Sequence, residues 1–155
     1  MNQSIIILTV GKLKSAHWQK AAEEYIKRLS PFTKLTIMEL PAKSFTDSNS
    51  QAMLEAENLA ILNFIKKRPD YFIVICDEHG ENLTSVKLAQ FWQKSNKPLI
   101  FVIGGTQGLS LEVKKTANLC LALSALTLPH ELARVLLLEQ LYRSATIIAG
   151  KSYHY

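Results

Sequence analysis

Cysteine is scarce in this chain. Cys76 and Cys120 are the only two in 155 residues, and both lie within apolar, strand-like runs. Buried, reduced thiols account for them, so neither a disulfide framework nor a thiolate metal site is expected. Histidine is also thin: the four residues are scattered without ligand spacing, and no metal is expected. Long hydrophobic runs are missing as well. No apolar segment approaches the length that spans a bilayer. Residues 1–10 lack the basic start of a signal peptide, because Lys12 and Lys14 follow the first apolar run. These absences exclude secreted, disulfide-built and membrane-spanning classes and predict a cytoplasmic protein with no membrane partner.

What is present is ordinary for a globular domain: 48% hydrophobic and 20% charged residues, with a formal net charge of +5. The length predicts a single domain over residues 1–155 with its own core. The excess of cations suits a polyanion such as RNA. It is uneven, with seven Lys/Arg against four acids in residues 1–50, six against six in 51–100, and five against three in 101–155.

The hydrophobic pattern predicts alternating strands and helices. Ile5–Val10 is an apolar run closed by Gly11, and Ser15 caps a helix through about Leu29. Leu35–Leu40 is a second strand. Ser50 caps a long helix to Arg68, where Lys66, Lys67 and Arg68 complement the negative end of its dipole. Tyr71–Cys76 is a third strand, and Asp77–Gly80 reads as a turn. A helix over Ser85–Lys94 leads to strand Leu99–Ile103. A short helix at about Ser110–Ala117 leads to strand Leu119–Leu123. The last helix spans about Pro129–Ala149, with Gly150 as its C-terminal cap. Helical crossovers of this length demand a mostly parallel five-stranded sheet with helices on both faces, an α/β architecture.

Two loops stand out. Gly104-Gly105-Thr106-Gln107-Gly108 follows the fourth strand, and Ser124–His130 follows the fifth. The glycines are not a Walker loop, since no Gly-Lys-Ser/Thr follows, and they stand after the wrong strand for a dinucleotide fingerprint. As a pair, adjacent strand ends with small or polar loops form a ligand crevice. The last helix is apolar nearly all round, from Leu132 to Ile148. Such a helix is buried on several sides, and a second subunit is the expected cover. Glu139 and Arg143 sit at i, i+4 and pair on one face. The chain ends Tyr153-His154-Tyr155, two rings and an imidazole of the types that meet a nucleobase.

Taken in order, several stretches carry a resemblance: Val10-Gly11-Lys12, Phe101–Gly105, Leu123–His130, Arg134, Glu139–Arg143 and Tyr153-His154. Together they resemble the SPOUT class of methyltransferases, and within it the large-subunit rRNA methyltransferase H family, over the full chain. The resemblance implies a C-terminal trefoil knot, a homodimer, S-adenosylmethionine as cofactor, and 23S rRNA in the ribosome or large subunit as partner, methylated at N3 of a pseudouridine. It places cofactor contacts on Cys76, Gly104, Gly105, Leu123, Ser124, Ala125, Leu126, Thr127 and Leu128. It places His154 beside the target base, as base or orienter. Arg143 or Lys151 then supplies a positive charge, and Tyr142 and Tyr153 stack. Two positions depart from the family pattern: Cys76 stands where Leu is usual, and Tyr155 where a basic residue is usual. The competing readings are a dinucleotide-binding oxidoreductase and a non-catalytic RNA-binding factor in ribosome assembly.

Overall fold

The computed structural model describes residues 3–44 and 46–153. In chain order the elements are β1 Ser4–Val10, α1 Ala16–Leu29, β2 Lys34–Leu40, α2 Ser50–Lys66, β3 Phe72–Asn82, α3 Ser85–Lys94, β4 Leu99–Ile103, α4 Leu111–Lys115, β5 Leu119–Ala122 and α5 His130–Ile148. The strands form one sheet in the order β2-β1-β4-β3-β5, and every pairing is parallel. Parallel strands need crossovers, which the helices supply.

Period-2 alternation divides the strand side chains between two cores. Ile5, Ile7, Val74, Leu99, Phe101 and Leu121 face one side, where they pack with Ala22 and Leu29 of α1, Leu88 and Trp92 of α3, and Val135, Leu137, Leu138, Leu141 and Ala145 of α5. Ile6, Leu8, Ile73, Ile75, Ile100 and Val102 face the other, against Ile61 and Ile65 of α2 and Val113 of α4. β4 is buried throughout, as an inner parallel strand must be.

The path into α5 is unusual. β5 is an edge strand beside β3, yet α5 packs against both α1 and α3 and touches β4. α5 thus shares a face of the sheet with α1 and α3 and reaches the central strand β4. Ser85 at the start of α3 donates to Gln140 Oε1 of α5 at 2.7 Å, which ties the two helices together.

Three local expectations change. The Asp77–Gly80 turn is instead part of β3, which shifts register after Cys76 and pairs with β5 again at Glu81 and Asn82. A Cβ on Gly80 would lie 2.7 Å from the Cys120 carbonyl, so only glycine permits this backbone contact. The partner strand is 40 residues away in sequence, as the pairing of Glu81 with Leu121 shows, and no local signal announces it. The second helix starts inside Asn49 rather than at a Ser50 cap, and it ends at Lys66. Asn49 Oδ1 accepts from the Thr46 amide, which sets the turn one residue earlier. Finally, one chain covers part of α5 by itself: Leu137, Leu138 and Leu141 are wholly inaccessible, with α1 and α3 packed against the helix, while Leu132, Leu136, Ile147 and Ile148 stay half-buried.

Candidate functional site

The C-terminal ends of β3, β4 and β5 meet at a crevice of about 330 Å3. Its floor is the end of the sheet, at Cys76 and Ile103. One wall is the glycine loop Gly104–Gly108 with Leu109. The other is Leu123, Ser124, Leu126, Thr127 and Leu128, with His130 and Ala133 of α5 behind them. Of the positions named from the resemblance, Cys76, Gly104, Gly105, Leu123, Ser124, Leu126, Thr127 and Leu128 line it, and Ala125 does not.

Each wall is held in place by identifiable contacts. The Leu126 amide donates to Ser124 Oγ at 2.9 Å, a short turn that bends the chain after β5. Thr127 Oγ1 donates to Glu78 Oε2 at 2.6 Å, joining this loop to the far part of β3. On the glycine side, Gly108 takes φ +78° and its amide donates to Gly105 O at 3.0 Å, closing a tight reversal. A Cβ on Gly104 would come within 2.8 Å of Leu109 Cγ, and one on Gly105 within 3.0 Å of Glu57 Oε2. These glycines therefore answer to packing behind the loop.

That packing comes from residues the sequence reading passed over. Glu57 and Asn58 are buried on α2. Glu57 Oε1 accepts from the Lys43 amide at 3.1 Å, and Asn58 Oδ1 accepts from the Ser110 amide at 2.8 Å. Both fall at helical spacing between the apolar positions Leu54 and Ile61, and polar residues on an apolar stripe are the signal that would have found them.

Asp77 and Lys114 form an ion pair at the crevice, and the His79 amide donates to Asp77 Oδ1 at 2.8 Å. Burial pushes the Asp77 carboxyl upward, but Lys114 and the His79 amide together hold it below the usual carboxylate range. Asp77 is thus a fixed anion. The Cys76 thiol is pushed up to about 12 by burial, so it stays neutral and offers no thiolate nucleophile.

The C-terminal candidates gather elsewhere. Arg143 Nη2 lies 2.7 Å from Glu139 Oε1, which holds the guanidinium above its ordinary value. Its Nη1 donates to Tyr153 O at 3.4 Å, and the guanidinium sits 5.0 Å from the Tyr153 ring centroid. Tyr153 meets Tyr142 edge-on at 4.6 Å, within a cluster that includes Tyr25 and Phe32. Neither Arg143 nor Tyr153 lines the crevice. From Ala133 to Tyr142 the helix rises about 14 Å. Lys151 is exposed, with Nζ 4.8 Å from the Phe32 ring. His154 and Tyr155 lie outside the described residues.

Residues 3–154 match the family described as "Predicted SPOUT methyltransferase". The chain belongs to the SPOUT methyltransferase family. It is 41% identical over 154 residues to ribosomal RNA large subunit methyltransferase H of Caldicellulosiruptor bescii, covering 97% of this chain and 99% of that one. Among solved structures it resembles a probable methylase family protein from Haemophilus influenzae Rd KW20, with a TM-score of 0.61 and 18% identity over 99% of this chain and 71% of the other. It also resembles the TrmH/SpoU tRNA modifying enzyme of A. aeolicus, with a TM-score of 0.53 and 16% identity over 96% of this chain and 78% of the other. Membership of this family implies the knotted SPOUT fold, and the oxidoreductase reading falls.

Proposed function

We propose that this SPOUT methyltransferase transfers the methyl group of S-adenosylmethionine to N3 of a pseudouridine in 23S rRNA, in the cytoplasm, with the whole chain acting as one domain. The observation that carries this reading is the crevice between two strand-end loops at the knot, in a chain closely similar to a large-subunit rRNA methyltransferase. The crevice suits the cofactor chemically. Ile103, Leu109, Leu123 and Leu128 offer apolar surface to a purine, and Ser124, Thr127 and the loop backbone offer hydrogen bonds. When bound, S-adenosylmethionine supplies an electrophilic methyl carbon on a sulfonium.

The chain's own residues do the positioning, which supplies much of the rate in such a transfer. Gly104–Gly108 and Leu123–Leu128 hold the donor. Neutral Cys76 lines the floor without competing for the methyl group. The ring N3–H of the acceptor has to lose its proton, and His154 is assigned that task or the orientation of the base. Tyr153 lies on the far half of α5 from its own crevice, so a tail that works at a crevice belongs to a second copy. A homodimer with the tail of one chain at the crevice of the other meets this requirement, with Arg143 fixing the tail through Tyr153.

Methyl incorporation from tritiated S-adenosylmethionine into large ribosomal subunits, with calorimetry on S-adenosylhomocysteine beside it, tests the reading. Saturable binding with methylation confined to 23S rRNA is expected. Absence of cofactor binding overturns it, and a light-scattering mass of one chain at micromolar concentration overturns the dimer.

A further inference from the structure

The opposite edge of the sheet carries a second open trough, of about 410 Å3. It lies where β3, β4 and β5 begin, between the C-terminal ends of α2 and α4. Lys66, Arg68 and Lys97 line it, together with Tyr71, Thr116 and Asn118. Among the described residues no carboxylate lines it. Lys67 and Lys115 are exposed next to lining residues in sequence, and so is Asp70, between Pro69 and Tyr71. The five residues of β4 separate this edge from the crevice by about 17 Å.

Helix dipoles explain only part of this charge. Lys66 is in the last turn of α2 and complements its carbonyl end. Arg68 lies beyond that helix, and Lys97 belongs to the connection before β4. Arg68 is pre-set: its Nη1 donates to Phe64 O at 3.0 Å, and its guanidinium lies 3.6 Å from the Phe64 ring centroid. One donor is used, and the rest of the guanidinium fork is left for another acceptor.

We propose that this trough is a second RNA contact, taking the phosphodiester backbone of the rRNA substrate at a distance from the methylated base. It rests on the rRNA methyltransferase reading and adds where the RNA runs. The chemistry favours a phosphodiester over a nucleotide polyphosphate. Compact polyanions bind at helix N-termini or glycine nests, whereas this trough lies at the C-terminal ends of α2 and α4, whose dipoles the lysines offset. Long lysines around an open channel suit one diffuse charge per nucleotide, held without base specificity.

The test is the pair Lys66→Glu/Lys97→Glu against a control pair of equal charge change, Lys20→Glu/Lys27→Glu, at exposed positions on α1. Arg68 is left intact because it braces Phe64. Turnover on large ribosomal subunits and direct binding to 23S rRNA are measured across a salt series, with calorimetry for the cofactor. The trough pair should raise KM for subunits and Kd for 23S rRNA on the order of tenfold, and lower the salt slope by about 1.5. kcat and cofactor affinity should not move. Wild-type KM, Kd and slope in the trough pair overturn the proposal, and so does an equal loss in the control pair. If the wild type binds 23S rRNA but methylates nothing, the methyltransferase reading fails while the binding series still decides the trough.

Discussion

Arg134 of α5 donates to Glu39 Oε2 at the end of β2 across 3.0 Å, and the same guanidinium donates to Thr9 Oγ1 at 2.7 Å and Gly11 O at 2.8 Å. The arginine is 5% exposed. One side chain thus locks α5 to the first two strands. Arg134→Ala takes the donor from Thr9 Oγ1, leaves the Gly11 carbonyl only the Thr9 hydroxyl at 3.4 Å, and should cost about 3 kcal/mol in urea unfolding. Glu39→Gln should cost less, because that carboxylate is one-third exposed. A loss under about 0.5 kcal/mol for Arg134→Ala would show the lock to be idle.

Gly104→Ala is expected to destabilise by about 1–2 kcal/mol and to weaken cofactor binding, because its Cβ meets Leu109 Cγ at 2.8 Å. The double variant Gly104→Ala/Leu109→Ala should recover part of the lost affinity by making room. Calorimetry on both decides it. Leu109 itself lines the crevice, so Leu109→Ala alone is the reference: if adding Gly104→Ala to it costs as much affinity as in the wild type, the glycine serves the ligand directly and not Leu109.

The Asp77–Lys114 pair sets a pH dependence. The folded carboxyl titrates below its unfolded value, so the stability it contributes is fully present above about pH 4 and is lost as pH falls through the lower folded value. Lys114→Gln removes the main opposing charge and leaves burial, which should move the Asp77 midpoint upward. Carboxyl NMR titration reads this directly. An unmoved midpoint would mean that Lys114 does not hold Asp77 charged.

Deleting Tyr153–Tyr155 should abolish methyl transfer and leave cofactor binding nearly intact. Tyr153 packs on Tyr142 and Arg143, away from the crevice, and the core does not depend on it. Tritium incorporation and calorimetry on the same truncated protein give the outcome. Full activity sinks the role of the tail, and loss of both activities would mean that it closes over the cofactor.

Leu138→Glu should unfold the chain outright. Leu138 is wholly buried between the sheet and the flanking helices of its own chain, so the new carboxylate would lie in a core without a partner. Circular dichroism checks this. A folded monomer would instead place Leu138 at an interface between copies.

The sequence alone determined the alternation of strands and helices, because apolar period and capping residues act over a few positions. α3 and β4 begin and end where their pattern says, at Ser85–Lys94 and Leu99–Ile103. The two loops of the crevice were also legible, since small residues at adjacent strand ends carry their own signal. The knot and the family assignment came from resemblance, because no local preference encodes which side of a bridge a helix passes. Tertiary structure decided the rest through contacts between distant residues. β3 runs on past Cys76 because β5 offers it a second partner. α5 is covered by α1 and α3, which reach it from distant parts of the chain. Glu57 and Asn58 back the glycine loop only once α2 is laid beside it. Tyr153 and the crevice stand apart in the fold because Tyr153 packs on the far half of α5, a helix of 19 residues whose start lines the crevice.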